Sequence, residues 1–214
     1  EGPKRRRLAE EGIARMKEHV DTLIVIPNEK LLSVVDKRMS LNDSFLYADD
    51  TLRQGVQGIS DIILKPGLIN VDFADVRSVM KGAGVALMGL GRGTGDNRAR
   101  IAAEAAVTSP LIETDIQGAK RLLINITAGP QFGLGEAQEA MEYIMQYADA
   151  DEASIFMGQV VDESMGDQVH ITLLAAGMKP VPTSARLHES EMFVSSDVPD
   201  TSRVPAQEQP KPEA

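Results

Sequence analysis

Three side chains near the middle of the chain have types and spacing that could do chemistry. Asn70, Asp72 and Asp75 sit in Leu64-Lys-Pro-Gly-Leu-Ile-Asn-Val-Asp-Phe-Ala-Asp-Val76. Two carboxylates three residues apart at a helix start can polarise a water or hold a cation. The same pattern also serves a plain structural end, with Asp72 as N-cap and Asp75 in the first turn. Phe45 and Asp49 are a second pair, four apart and so on one helix face. A ring beside a carboxylate can stack a base and accept its two N–H donors, as guanine would require. The plainer reading is a core Phe and a surface Asp. Asn28 ends an apolar run just before a helix, where open α/β sheets bind ligands, and it also reads as an N-cap. Lys4, Arg5, Arg6 and Arg7 crowd a helix start, against the dipole. They suit an anion such as phosphate, or a solvated end.

The elements that must hold these groups follow from periodicity. Apolar residues recur at Leu41, Phe45, Ala48, Leu52, Val56, Ile59 and Ile63, which predicts one long helix. From Leu41 to Ile63 it would span roughly 35 Å. Asn42, Asp43 and Ser44 offer caps, and Pro66-Gly67 ends the helix. Gly55 and Gly58 cost helix stability, roughly 1 kcal/mol each, so another element should pack tightly there. Before it come a helix over Lys4–His19 and an apolar run Thr22–Ile26, read as a buried parallel strand, then a helix over Glu29–Val35. After it come a helix Phe73–Met80, strands Gly84–Leu90, Lys120–Thr127, Ala153–Val160 and Val169–Ala176, and helices Asp96–Val107 and Gly135–Ala148. The order β-α-β-α-β-β predicts a small mixed sheet with helices on one face. Met165-Gly-Asp167 reads as a hairpin turn. Gly89-Leu-Gly-Arg-Gly-Thr-Gly95 superficially suggests a phosphate loop. It lacks both the Walker ending and the dinucleotide fingerprint, and reads better as a strand–helix connection.

Composition bounds the rest. The chain has 214 residues, a net charge of −10 and no cysteine. That excludes a disulfide framework and thiolate metal sites and argues against non-specific nucleic-acid binding. No run of 18 apolar residues would cross a membrane. Six of the eleven prolines fall after position 178, so 179–214 is expected to be a disordered linker or tail. The first residue is Glu1 rather than Met, and the chain is expected to begin inside a longer protein.

These segments together resemble FtsZ, the tubulin-like cell-division GTPase family. The resemblance runs from Glu1 to Met178. It is carried by Asp21-Thr-Leu-Ile-Val-Ile-Pro-Asn-Glu-Lys-Leu-Leu32, Leu52-Arg-Gln-Gly-Val-Gln-Gly-Ile-Ser-Asp-Ile-Ile63, Gly67-Leu-Ile-Asn-Val-Asp-Phe-Ala-Asp-Val76, Thr108-Ser-Pro-Leu-Ile112 and Asn125-Ile-Thr-Ala-Gly129.

The resemblance implies an α/β protein of tubulin/FtsZ type. Residues 1–40 would be the end of a Rossmann-like GTP-binding domain and 41–64 the central helix. Residues 65–80 would be the catalytic loop and its helix, and 81–178 a small α+β C-terminal domain. It further implies head-to-tail filaments with GTP or GDP between subunits, Mg²⁺ and a monovalent cation at the interface, and no metal site within the chain. Asn70, Asp72 and Asp75 would be catalytic. Glu1, Arg5, Asn28, Phe45 and Asp49 would contact the nucleotide. Partners would be further copies and other division proteins reached through the C-terminal region, in the cytoplasm at the division site. Nucleic acid and direct membrane insertion are not implied. The family's glycine-rich GGGTGTG loop is absent from these residues, so this chain alone is expected to be inactive. Alternative roles are a filament-capping module, a tubulin-like protein of plasmid segregation, and an independent Rossmann-like nucleotide enzyme using Gly89–Gly95.

Overall fold

A computed structural model describes residues 2–26, 30, 38–65, 67–112 and 116–178. The chain divides into two units, 1–179 and 180–214. The second unit, with the expected tail, lies outside the described residues, as do Glu1, Asn28, Pro66 and most of the helix expected over Glu29–Val35.

The described elements are α1 (Pro3–Lys17), β1 (Thr22–Ile24), α2 (Leu41–Leu64), β2 (Gly67–Ile69), α3 (Phe73–Met80), β3 (Gly84–Gly93), α4 (Arg98–Val107), β4 (Arg121–Ala128), α5 (Leu134–Met145), β5 (Ser154–Val161), a 3-10 turn (Glu163–Met165) and β6 (Val169–Ala176). The six strands form one sheet in the order β1-β3-β6-β4-β5-β2. β1 runs parallel to β3, and β4 parallel to β5. The β3–β6, β4–β6 and β2–β5 pairs are antiparallel.

Several expectations need correction. The strand over 22–26 is parallel as read, but only Thr22–Ile24 are in it and they are half-buried, because an edge strand is covered on fewer sides. Gly67–Ile69 is not loop but an edge strand on β5. The two helices of the β-α-β-α-β-β run share one face of the sheet as read, and α2 and α3 cover the other. α4 and α5 pack Ala99, Ala102, Ala106, Ala140 and Ile144 against Ile124, Ile126, Ile171 and Leu173. α2 and α3 pack Ala48, Ile62, Val76 and Val79 against Met88, Leu123 and Leu174 on the other side. The turn at Met165–Asp167 does not close a hairpin, since β4 lies between β5 and β6. The link instead crosses the end of β4, where a Cβ on Gly129 would come within 2.7 Å of the Gly166 carbonyl oxygen.

The tight approach expected at Gly55 and Gly58 is present. A Cβ on Gly55 would meet the Met88 thioether, and one on Gly58 would lie 2.7 Å from Thr172 Cβ. Asn125 Nδ2 donates to the Gly58 carbonyl oxygen at 2.9 Å. Ile62, one turn on, packs over Gly158 of β5. α2 thus crosses β3, β6, β4 and β5 obliquely on its glycine side. This shifts the buried stripe from the one read. Ala48, Gly55, Gly58, Asp61 and Ile62 are buried, while Phe45, Val56 and Ile63 face outward. The cap also shifts. Ser40, not residues 42–44, is the N-cap of α2, and its hydroxyl accepts from Asp43 N at 3.1 Å.

Gly89, Gly91 and Gly93 have a packing role. All three are in β3, on the face under α4. Their Cβ atoms would strike the backbone of α4 at Ala106, Ala102 and Arg98 in turn. Alternate strand residues advance about 6.7 Å and four helical residues advance about 6 Å, so strand and helix stay in step over the three contacts.

Candidate functional site

The Asn70–Asp75 segment joins edge strand β2 to α3. Val71 anchors it from within, buried against β5 at Gly158. Asn70 folds back on the strand. Its Oδ1 accepts from Gly67 N at 2.7 Å and its Nδ2 donates to the Gly67 carbonyl oxygen at 3.1 Å. Gly67 has no room for a side chain, since a Cβ would fall 2.8 Å from the Gln159 carbonyl carbon. Asn70 is therefore the brace that ties the end of β2 back to its first residue.

Asp72 is the N-cap of α3, and its Oδ1 accepts from Asp75 N at 2.8 Å. This is the cap that the sequence offered as the structural reading. It takes the amide of Asp75 and leaves the Asp75 carboxylate, half-buried beside it, out of the cap. Ser78 Oγ donates to the Asp75 carbonyl oxygen at 2.7 Å. Leu68 of β2 and Phe73 of α3, 72% and 66% exposed, put apolar surface on the same segment. The site is thus an open acidic edge with apolar shoulders.

The nucleotide-contacting set is distributed differently. Phe45 and Asp49 are both exposed on the outer face of α2, and Arg5 is exposed on α1, a helix that buries no residue. Glu1 and Asn28 lie outside the described residues. The described residues therefore leave Arg5, Phe45 and Asp49 each on open surface.

A hard cation such as Mg²⁺ prefers oxygen donors, which Asp72 and Asp75 supply. No cluster of three or more His, Asp or Glu able to hold a metal occurs among the described residues. One exposed and one half-buried carboxylate would hold Mg²⁺ only together with oxygens from a bound phosphate. Among the described residues no helix is long and apolar enough to cross a membrane.

Sequence reasoning missed one charged constellation. Arg98, at the start of α4, is 8% exposed. It donates to Glu136 through Nε at 2.7 Å and through a terminal nitrogen at 3.1 Å, and to Asp167 at 3.0 Å. Its guanidinium also lies 5.9 Å from the centre of the Phe132 ring. Glu136 in turn accepts from Gly133 N at 2.9 Å, capping α5, and Asp167 accepts from Gly95 N at 2.9 Å. These groups border a cavity of about 450 Å³. Every guanidinium nitrogen is taken by a carboxylate, so the cluster is a clamp joining α4, α5 and the β5–β6 link. The signal was the first of two arginines opening an alanine-rich helix, which composition alone does not distinguish from a surface cation.

Comparison with known proteins agrees with this fold. Residues 84–179 match the C-terminal domain of the FtsZ family. The cell division protein FtsZ of Pseudomonas aeruginosa is 48% identical over 199 residues, covering 92% of this chain and 49% of that protein. The chain spans about half the length of the curated relatives it matches. An FtsZ dimer from M. jannaschii superposes with a TM-score of 0.73 at 40% identity, covering 78% of this chain and 48% of that one. CetZ2 from Haloferax volcanii, a GTPγS-bound protofilament, shares the fold alone. Its TM-score is 0.62 at 13% identity, with 86% of this chain and 54% of that one covered. With an FtsZ C-terminal domain, a tubulin/FtsZ-like fold and this degree of identity, the chain belongs to the FtsZ family.

Proposed function

We propose that this chain serves a filament-forming GTPase of cell division, and that Asn70, Asp72 and Asp75 form the loop that acts on GTP held by a neighbouring subunit. The observation that carries this reading is the Asp75 carboxylate. The α3 cap fixes its backbone without using its side-chain oxygens, on a segment that also exposes Leu68 and Phe73. Apolar shoulders around a polar centre suit a surface that another molecule covers.

The chemistry follows from charge. Hydrolysis of the terminal phosphate needs a positioned water and compensation of developing negative charge. Asp75 orients and polarises the water by accepting its hydrogen bond. Asp72 holds the Asp75 backbone, and Asn70 braces β2. Two carboxylates beside a triphosphate would repel it, so Mg²⁺, with or without a monovalent cation, would be held by Asp72, Asp75 and phosphate oxygens and would supply positive charge. Arg5, Phe45, Asp49, Asn28 and Glu1 serve in this reading as the subunit's own nucleotide contacts. In the domain division that goes with this reading, 1–40 ends a GTP-binding domain, 41–64 is the central helix, 65–80 is the loop and its helix, 81–178 is the C-terminal domain and 179–214 is the tail. Self-association is head to tail, in the cytoplasm at the division site, and the C-terminal region reaches other division proteins. The relatives named cell division protein FtsZ and the solved FtsZ dimer support this reading.

The test is a chimera in which this chain replaces the matching segment of the P. aeruginosa relative. GTP turnover per pelleted subunit is compared between the parent chimera and Asp75→Ala. The variant should pellet with GTP and turn over at least about tenfold more slowly, since positioned acid–base groups contribute that much or more. Normal turnover in the variant would reduce Asp75 to a helix-start residue and end the catalytic assignment.

A further inference from the structure

The carboxyl end of α3, opposite its acidic end, is held from two strands. α3 is 8 residues long, about 12 Å at the helical rise. The last carbonyls of a helix need outside partners, and here they find them in two separate strands. A terminal nitrogen of Arg121, the first residue of β4, donates to the Val79 carbonyl oxygen at 3.4 Å and to the Lys81 carbonyl oxygen at 2.9 Å. The Thr22 hydroxyl of β1 donates to the Met80 carbonyl oxygen. Asp21 accepts from Gly82 N at 3.1 Å just beyond.

We infer that Arg121 is a positioning residue for the Asp72–Asp75 pair, acting through α3 as a rigid strut. The inference rests on the hydrolytic reading of that loop. Val76 and Val79 are buried and seat the helix against the sheet. Apolar contacts of this kind resist lifting but are non-directional, so they fix sliding along the axis poorly. The β4 cation fixes that axial position, because its two contacts lie at the carboxyl end and are charge-assisted. A positive charge there also complements the helix dipole. Movement of α3 by a fraction of a turn would carry Asp72 and Asp75 away from any water they orient, while leaving the fold intact. The requirement is a cation with one well-placed nitrogen rather than a guanidinium fork, because the same nitrogen makes both contacts.

The same P. aeruginosa chimera tests this with Arg121→Ala, Arg121→Lys, Arg121→Gln and Asp75→Ala. Arg121→Ala should lower kcat for GTP roughly fivefold to tenfold, the scale of small misplacements, with KM for GTP and pelleting unchanged. Arg121→Lys should recover most of kcat, and Arg121→Gln less. If Asp75→Ala is slow but Arg121→Ala turns over like the parent, Arg121 positions nothing and the loop assignment survives. Parent-like turnover in Asp75→Ala would show instead that the loop reading itself has failed. Should Arg121→Ala not fold, the Gln and Lys variants carry the test. Equal kcat in both, at the parent value, would overturn the proposal.

Discussion

Replacing Gly91 by alanine separates packing from ligand binding in the Gly89–Gly95 stretch. The new Cβ would lie 2.5 Å from Ala106 N and closer still to the Ala102 carbonyl oxygen. Both are helix backbone, so no side chain can rotate away. α4 would have to rise by about 1 Å to reach ordinary contact, and a gap of that size forfeits a quarter to a half of each dispersion contact. The contacts at stake are those of Ala99, Ala102, Ala103 and Ala106, all at most 1% exposed. Overpacking of this kind costs roughly 1–3 kcal/mol where neighbours can yield; against backbone we expect about 3 kcal/mol or more. For a domain of this size that lowers the melting midpoint by roughly 6–12 °C. The assay is thermal and urea unfolding of the 214-residue chain followed by circular dichroism. Gly135→Ala is the control, since it meets nothing within 4 Å and should be neutral or slightly stabilising. A Gly91→Ala midpoint within about 2 °C of the parent would refute the packing argument, given the 2–4 °C expected per kcal/mol. An unchanged midpoint together with lost nucleotide binding would favour a phosphate loop after all.

Two further predictions concern the charged groups. Arg98→Met should destabilise by about 2–4 kcal/mol, because it strips the cation from two carboxylates while Glu136 is only partly solvated. Glu136 is held below its ordinary carboxyl value, first by its hydrogen bond from Arg98. Its contribution is therefore complete above the unfolded value of 4.5 and is lost as the pH falls through the lower folded value. Urea midpoints should drop less steeply in acid for Arg98→Met than for the parent; parallel curves would contradict the clamp. His170 has its pKa lowered by burial, then by Arg92, against an opposing pull from Asp162. Its Nε2 is buried without a hydrogen-bond partner. Below the unfolded value of 6.5 the unfolded chain takes up the proton first, so stability falls as pH drops through that range. His170→Gln should flatten the stability slope between about pH 7.5 and 5.5, and an unaltered slope would show that His170 does not titrate against folding.

Most of the fold was legible because its signals are local. Phe73–Met80 and Val169–Ala176 have the bounds that periodicity assigned, since each starts or stops at a residue with one dominant preference. What the sequence hid was non-local. Nothing in Gly89-Leu-Gly-Arg-Gly states whether the glycines approach a phosphate or a helix, because both demand the same missing Cβ. Only the position of α4 decides. The buried stripe of α2 was misread for a related reason. Hydrophobicity pointed to Phe45, Val56 and Ile63, but Gly55 and Gly58 let the backbone itself approach Met88 and Thr172. In that helix the closest contact face is marked by the smallest residues. The β5–β6 link could not be read as a crossing, since a short turn-rich connector looks the same whether its strands pair or straddle a third.

The loop at Asn70–Asp75 was ambiguous for a deeper reason, and the structure changes what the ambiguity means. Capping and catalysis looked like rival readings of two aspartates at a helix start. The cap, however, consumes one oxygen of Asp72 and the amide of Asp75, whereas water activation would need the carboxylate of Asp75. The two roles draw on different atoms. The cap is then the means by which the second carboxylate is held: Asp72 pins its backbone, Asn70 braces β2 behind it, and Val71 ties the segment to the sheet. A helix start is a cheap way to make a preorganised site, because it aligns a short polar segment using bonds that any helix must find. This makes Asp72→Asn informative. Asn keeps the capping oxygen, so an Asp72→Asn chimera should retain fold and assembly, and any loss of turnover would report the Asp72 charge rather than the cap. Loss of α3 itself, seen as faster amide exchange over 73–80, would mean that the asparagine had failed as a cap and that the two roles are not separable at this residue.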